Sequence, residues 1–268
     1  MKTEVVGLDG KSAGKIDLPK VFSTQLRPDL VQRAFWLVGS HGIQPQGRDP
    51  MAGERTTAET HSPPTGTGRS RIPRVKGERY SRGGLAGGVA SVVKGRLPHP
   101  PRSEKVIHLG INRKERRLAT DSAIAYTASL DAVKARGHKV KKMGLPLVIS
   151  DEVETVEKTA ELMSFLEKVE LESELKRVDE GSKRRTGKSR LRGRVYKSRV
   201  GPLIVVTNDR GVGKAASGIP GVDVTRVDSL SVLDLAPGGV PGRLTLWTES
   251  ALSTLNARER EVESKDAA

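Results

Sequence analysis

The chain has no cysteine among its 268 residues, only 3 % aromatics, and nowhere an apolar stretch of bilayer length. The first absence excludes a disulfide framework and thiolate metal sites and points to a reducing compartment. The second excludes a broad base-stacking platform. The third excludes a bilayer-spanning helix, which needs ~20 apolar residues. The opening MKTEVVGLDG also lacks the apolar core of a secretion signal. A soluble, cytosolic protein is expected.

Positive charge is what the chain has in excess: 47 Lys/Arg against 32 Asp/Glu give a net charge of +15, with a pI near 10.2. That balance is the footprint of a nucleic-acid binder. The charge is unevenly placed. Residues 41–105 carry 12 basic and 5 acidic residues with 11 Gly and 8 Pro, residues 150–180 carry 4 against 11, and residues 181–200 carry 9 against none. One surface thus suits an anion while another faces water. A membrane binder would more often carry an amphipathic basic helix, and none is present.

Segment 41–105 has no sustained hydrophobic period, so it cannot build a core of its own. A structureless stretch this long inside a compact domain either argues against that assignment or marks a segment whose partner is not protein, and the charge favours the second. Glycines let the backbone approach a polyanion while each cation displaces a condensed counterion.

The flanks can fold. Residues 4–8 and 14–18 read as two strands around the Asp9-Gly10 turn. Residues 29–39 have the i, i+3, i+4 pattern of a helix. Asn112 with Glu115 forms a capping-box pattern ahead of a helix to about Ala135, with Leu118, Ala119, Ala123, Tyr126, Leu130 and Val133 inward. Arg113, Lys114, Arg116 and Arg117 crowd its first turn, oppose the macrodipole and invite an external anion.

Residues 145–150 read as a buried parallel strand. Asp151 and Glu154 are expected to cap the next helix, whose stripe is Val153, Val156, Ala160, Met163, Leu166 and Val169. Residues 203–207, 222–227 and 244–247 read as three more strands, and a last helix starts at about Glu249 and runs into a polar tail, 258–268. Length permits one large domain or two small ones. The alternation predicts an α/β fold with a doubly wound, mostly parallel sheet and flanking helices. A single globular domain is expected from 1–40 and 106–268, with 41–105 as a long extended loop inserted in it.

Catalytic signals are weak. Asn208-Asp209-Arg210-Gly211-Val212-Gly213-Lys214-Ala215 follows a strand as a phosphate loop would, but it lacks the first Gly and the final Ser/Thr, so a plain strand-to-helix loop is the better account. The glycines at 66, 68, 83, 84, 87 and 88 fit dinucleotide fingerprints only loosely. His41, His61, His99, His108 and His138 have no ligand spacing, and no nucleophilic triad assembles from local sequence. No catalytic residue, metal ligand, cofactor or small-molecule substrate is assigned. The tract 183–199 is internal and free of acids, so its self-repulsion calls for an external anion. With Tyr80 and Tyr196 the only aromatics in the two basic tracts, backbone and shape recognition should dominate.

Several segments together carry a resemblance. They are Thr65-Gly66-Thr67-Gly68-Arg69 with Ile72-Pro73-Arg74-Val75, the run 94–105 containing His99-Pro100-Pro101, Asn112-Arg113-Lys114-Glu115-Arg116, and Arg192-Gly193-Arg194 with Tyr196. Further on come Ala236-Pro237-Gly238-Gly239-Val240-Pro241-Gly242-Arg243-Leu244 and Thr248-Glu249-Ser250-Ala251-Leu252. In this order, over nearly the whole chain, they resemble the large-subunit ribosomal protein family L-four, in its archaeal and eukaryotic branch. The His-Pro-Pro and Ala-Pro-Gly-Gly-x-Pro-Gly-Arg-Leu elements are the specific ones. Before Lys94, where the family often has a Pro-Gln pair and basic residues, the span 84–93 is uncharged.

The resemblance implies a structural constituent of the large ribosomal subunit, in the cytoplasm, with a globular domain on the subunit surface. Its partners would be ribosomal RNA and neighbouring ribosomal proteins, and its loop would reach the wall of the peptide exit tunnel. An out-and-back loop of 65 residues could reach on the order of 100 Å at most. The expected RNA-contacting residues are Arg48, Arg55, Arg69, Arg71, Arg74, Lys76, Arg79, Arg82, Lys94, Arg96, His99, Arg102 and Lys105 in the loop, then Arg113, Lys114, Arg116 and Arg117. The second tract adds Lys183, Arg184, Arg185, Lys188, Arg190, Arg192, Arg194, Tyr196, Lys197 and Arg199. The alternatives are a non-ribosomal nucleic-acid binder and, further off, a phosphate-loop nucleotide hydrolase.

Overall fold

In a computed structural model the described residues are 2–60, 66–77, 81–140 and 144–266, with side chains through Arg260. His61, Thr65, Arg79 and Tyr80 lie outside them. In chain order the strands are β1 (Lys2–Val6), β2 (Ser12–Asp17), β3 (Ala58–Glu59), β4 (Arg74–Val75), β5 (Leu147–Ile149), β6 (Lys183–Arg184), β7 (Tyr196–Lys197), β8 (Leu203–Val206), β9 (Asp223–Arg226) and β10 (Thr245–Thr248). The helices are α1 (Pro28–Gly39), α2 (Arg113–Ala128), α3 (Leu130–Ala135), α4 (Thr159–Lys168), α5 (Glu172–Glu180), α6 (Lys188–Leu191), α7 (Val212–Ala216), α8 (Val232–Leu235) and α9 (Glu249–Asp266). The chain divides into two units, Met1–Gly39 with Gly110–Ala268, and Ser40–Leu109.

The larger unit is a mixed α/β layer whose six strands run in the order β2-β1-β5-β10-β8-β9. All neighbours are parallel except the β1/β2 hairpin at one edge. The apolar runs sit at its centre because both faces are covered, which is why they read as continuous rather than alternating. Alternate residues serve opposite faces. Leu147, Ile149, Ile204, Val206 and Leu246 pack with Leu162, Phe165 and Leu166 of α4 and Ala215 of α7. Val148, Leu203, Val205 and Trp247 pack with Val31 and Ala34 of α1, Ala119 and Ala123 of α2 and Leu252 of α9. Trp247 is fully buried and meets Phe22 edge to face at 5.6 Å, a geometry aromatic quadrupoles favour.

Three local expectations are corrected. Asn112 is the N-cap of α2, but its side chain makes no capping bond, and Glu115 pairs with Arg33 at 3.1 Å instead of completing a box. The long helix to Ala135 breaks at Ser129, whose backbone is extended (φ −85°, ψ 112°). The break has a packing cause: Ala119 and Ala123 lie against one face of the sheet and Val133 against the other, which one straight helix could not do. Leu118 points outward and is 42 % exposed.

The third correction lies after β5. Asp151 and Glu154 do not cap an α-helix; they sit in a 3-10 turn, Asp151–Thr155. Asp151 accepts from the Ser250 backbone N–H, and Glu154 from the Thr207 N–H and the hydroxyls of Thr248 and Ser250. Drawn to the strand ends, these carboxylates leave Val156 extended, and α4 starts afresh at Thr159. The helical phase therefore slips. Leu162 and Phe165 turn inward beside Leu166, while Ala160 is exposed and Met163 is 43 % exposed.

The unit Ser40–Leu109 is built of turns and one short β3/β4 ladder, with an added bridge from Arg74 to Ala86. Among its described residues no hydrophobic side chain is buried. Backbone hydrogen bonds and surface ion pairs hold its shape.

Candidate nucleic-acid interface

Within the Ser40–Leu109 unit, the uncharged stretch folds back on β4: Gly84 donates to Val75 O, Val75 to Leu85 O and Gly87 to Pro73 O. A Cβ on Gly87 would stand 3.1 Å from Val75 Cγ2 and 3.3 Å from Ala58 Cβ, so a side chain there would press on both. Arg74 closes the fold-back internally, donating to the carbonyls of Gly84 (2.9 Å) and Ser70 (3.3 Å). Three other expected contact residues are paired at the surface: Arg55 with Asp49 at 2.8 Å, Lys76 with Glu59 at 2.5 Å and Arg96 with Glu54 at 3.8 Å. Exposed pairs of this kind are worth about 0 to 1 kcal/mol, so a phosphate can displace the carboxylate. Arg48, Arg69, Arg71, Arg82, Lys94, His99, Arg102 and Lys105 are exposed.

The two ends of this unit are clasped by histidines that sequence reasoning left unassigned. His41 donates from Nε2 to Leu109 O at 2.9 Å and His108 from Nε2 to Ile43 O at 3.1 Å. Their rings stack 5.4 Å apart, and Leu109 N–H donates to Ser40 Oγ. The available signal was position: one histidine at each end of the basic segment.

The second tract forms a small antiparallel hairpin, β6 against β7, capped by the single turn of α6. Its register places Lys183 opposite Lys197 and Arg184 opposite Tyr196. Like charges directly opposite destabilise a ladder, and no acidic residue lies between 181 and 200 to relieve them. Arg185 bonds internally through Nε to Tyr196 O, while Lys183, Arg184, Lys188, Arg190, Arg192, Arg194, Lys197 and Arg199 are exposed. Leu191 is 85 % and Tyr196 67 % exposed, so an apolar and an aromatic side chain stand among the cations.

A buried ionic cluster holds the root of this hairpin. Glu174 is 0 % exposed and accepts from His138 Nδ1 at 2.6 Å, Lys139 N–H at 2.8 Å and Arg177 at 2.6 and 2.8 Å. Burial would raise its pKa, but the bonds from Arg177 and His138 outweigh that and hold it at about 2. Arg177 also donates to Val200 O at 2.8 Å, where the hairpin enters β8. Arg243, 3 % exposed, donates to Gly201 O and Asp234 O and pairs with Asp223. Arg136 donates to the carbonyls of Pro237 and Val240; its pKa falls to about 10 through burial and the nearby Arg243 and Arg177. These cations are structural, so the Arg243 of the proline-glycine motif serves the fold rather than a phosphate.

At the start of α2, Arg113, Lys114 and Arg116 are exposed and the first-turn N–H groups receive no side-chain cap. The strand-to-helix loop after β8 is different. Asp209 Oδ1 accepts from Gly211 and Gly213 N–H, both at 3.0 Å, occupying with its own carboxylate the place a phosphate would take. Among the described residues no group of three or more His, Asp or Glu is placed to hold a metal.

The model of the Ribosomal protein L4/L1 family matches residues 16–258. The chain belongs to that family. Among relatives in the archaea, the large ribosomal subunit protein uL4 of Methanosphaera stadtmanae is 42 % identical over 255 residues, 95 % of this chain and 96 % of the relative. The uL4 of Natronomonas pharaonis is 44 % identical over 259 residues, covering 96 % and 100 %, and that of Methanococcus aeolicus 41 % over 259, with the same coverage. The Asp209 loop, with its N–H groups taken by its own carboxylate, is an internal cap.

Proposed function

We propose that this chain is a structural, non-catalytic constituent of the large ribosomal subunit in the cytoplasm, held by ribosomal RNA and neighbouring ribosomal proteins. The observation that carries the reading is the β6/β7 hairpin, where Lys183 faces Lys197 with no acid within the tract. Repulsion of this kind is relieved by a polyanion, and membership of the L4/L1 family supports ribosomal RNA as that polyanion. The exposed cations of the two tracts and of the α2 start neutralise phosphates and let RNA helices approach. Arg74 and Arg185 act mainly by shaping the backbone, and Arg79 stays among the expected RNA contacts by sequence alone.

In this reading the Ser40–Leu109 unit lies along RNA and extends toward the peptide exit tunnel, ordering as it binds. Support comes from its lack of any buried apolar residue among those described and from ion pairs weak enough to be exchanged for phosphates. No helix among the described residues is long and apolar enough to cross a membrane, and no small-molecule substrate belongs to the function. The phosphate-loop alternative is set aside on the Asp209 cap.

The test is the salt dependence of binding to large-subunit RNA. With about 10 cations on phosphates, log affinity falls against log salt with a slope near −7 to −9. A slope near zero contradicts the reading, and a preference for duplex DNA in competition supports a non-ribosomal nucleic-acid binder instead.

A further inference from the structure

One recess in the Ser40–Leu109 unit is not explained by phosphate neutralisation alone. Two chain segments cross back to back where a Cβ on Gly53 (φ +87°) would lie 2.5 Å from the Gly95 carbonyl carbon, so their backbones touch. Above this crossing lies a concavity of about 200 Å³. Arg48, Arg96 and Arg102 line it together with Pro50, Leu97 and Pro98. Its two acids are already engaged: Asp49 holds Arg55 and the Met51 N–H, and Glu54 holds Arg96. Arg48 and Arg102 remain exposed on the wall, their guanidinium groups with no hydrogen-bond or ion-pair partner among the described residues.

Proline and leucine side chains beside guanidinium groups, in a space too small for a base pair, suit one planar, phosphate-bearing group. We propose that this recess takes a single unpaired nucleotide extruded from ribosomal RNA. Its base lies between the proline and leucine faces and a guanidinium plane, and its phosphate is held by Arg48 and Arg102. Arginine planes serve as stacking surfaces for splayed RNA bases where aromatics are absent, and here the recess has none. The inference rests on the ribosomal-RNA reading and adds to it a point of base recognition.

The test uses the full chain bound to large-subunit RNA, with base reactivity mapped by dimethyl sulfate and a carbodiimide. Ala52 also lines the recess, so Ala52→Phe fills it without removing a cation. The expected result is new reactivity at one unpaired nucleotide, binding about 10-fold weaker, as loss of one stacked base produces, and an unchanged salt slope. The double variant Arg48→Gln/Arg102→Gln, which alters no volume at the crossing, exposes the same nucleotide and reduces the slope by about 1.4 to 1.8.

If both variants protect every base as the wild type does, the recess is empty of RNA and the proposal falls while the ribosomal reading stands. Binding of a free nucleoside monophosphate in the recess of the RNA-bound chain, with the reactivity of every RNA base unchanged, assigns the recess to a soluble ligand and also overturns it. A wild-type chain that does not bind the RNA overturns both readings.

Discussion

A carboxylate with no exposed surface, Glu174, takes hydrogen bonds from His138, Lys139 and Arg177 at once, and Arg177 passes the connection to the backbone at Val200. Its pKa is drawn from 4.5 to about 2 by Arg177 and His138 against the cost of burial. A folded-state pKa below the unfolded one means stability that is fully present above pH 4.5 and lost as pH falls from there toward 2. Glu174→Gln should therefore lower the unfolding free energy at pH 7 by about 3 kcal/mol, because Arg177 is left buried without its counter-charge. Urea unfolding at pH 7 and pH 3 checks the sign: the gap between variant and wild type must shrink at the lower pH. The residue was within reach of sequence reasoning. Leu171, Glu174, Leu175 and Val178 fall at i, i+3, i+4 and i+7, so a charge stands in an apolar stripe, where only a buried partner can hold it.

The β6/β7 hairpin states its conflict through register. Lys197→Glu turns the Lys183 pair into opposite charges and should stabilise the hairpin in the free protein by about 0.2 to 1 kcal/mol, read as slower amide exchange at 183–197. The same change should weaken RNA binding and flatten its salt slope by at least about 0.7, since one phosphate contact is lost. Tighter binding, or an unaltered slope, would place the hairpin away from RNA. The charge of this tract was plain in the sequence, but the hairpin was not, because two-residue strands carry no period to read. The helices show the same limit. The stripe of α2 was recognised at Ala119 and Ala123 but not at Leu118, and within α4 only Leu166 of the expected stripe is buried, because the break at Ser129 and the restart at Thr159 depend on which face of the sheet Val133 occupies and on where Asp151 and Glu154 find donors. Those are tertiary facts that override local capping signals.

Across the molecule, the runs at 147–149, 203–206 and 245–248 were legible as a parallel sheet because strands covered on both faces must be apolar, or nearly so, while 223–226, polar at both ends, lies at the sheet edge. Their spatial order was not, since β10 inserts between β5 and β8 and nothing in its own residues says so. The basic segments were legible from charge and glycine content. Which arginines serve the fold was not: Arg243 and Arg74 look like the others in sequence and differ only in the carbonyls they meet. At this scale stands the proposal that these exposed cations fix the chain in the large subunit through RNA. Sedimentation of a lysate of its source cells tests that most directly. The chain should travel with the large ribosomal subunit at low salt and leave it only as salt rises steeply; a chain that sediments alone at low salt, with the large subunit intact, contradicts the claim.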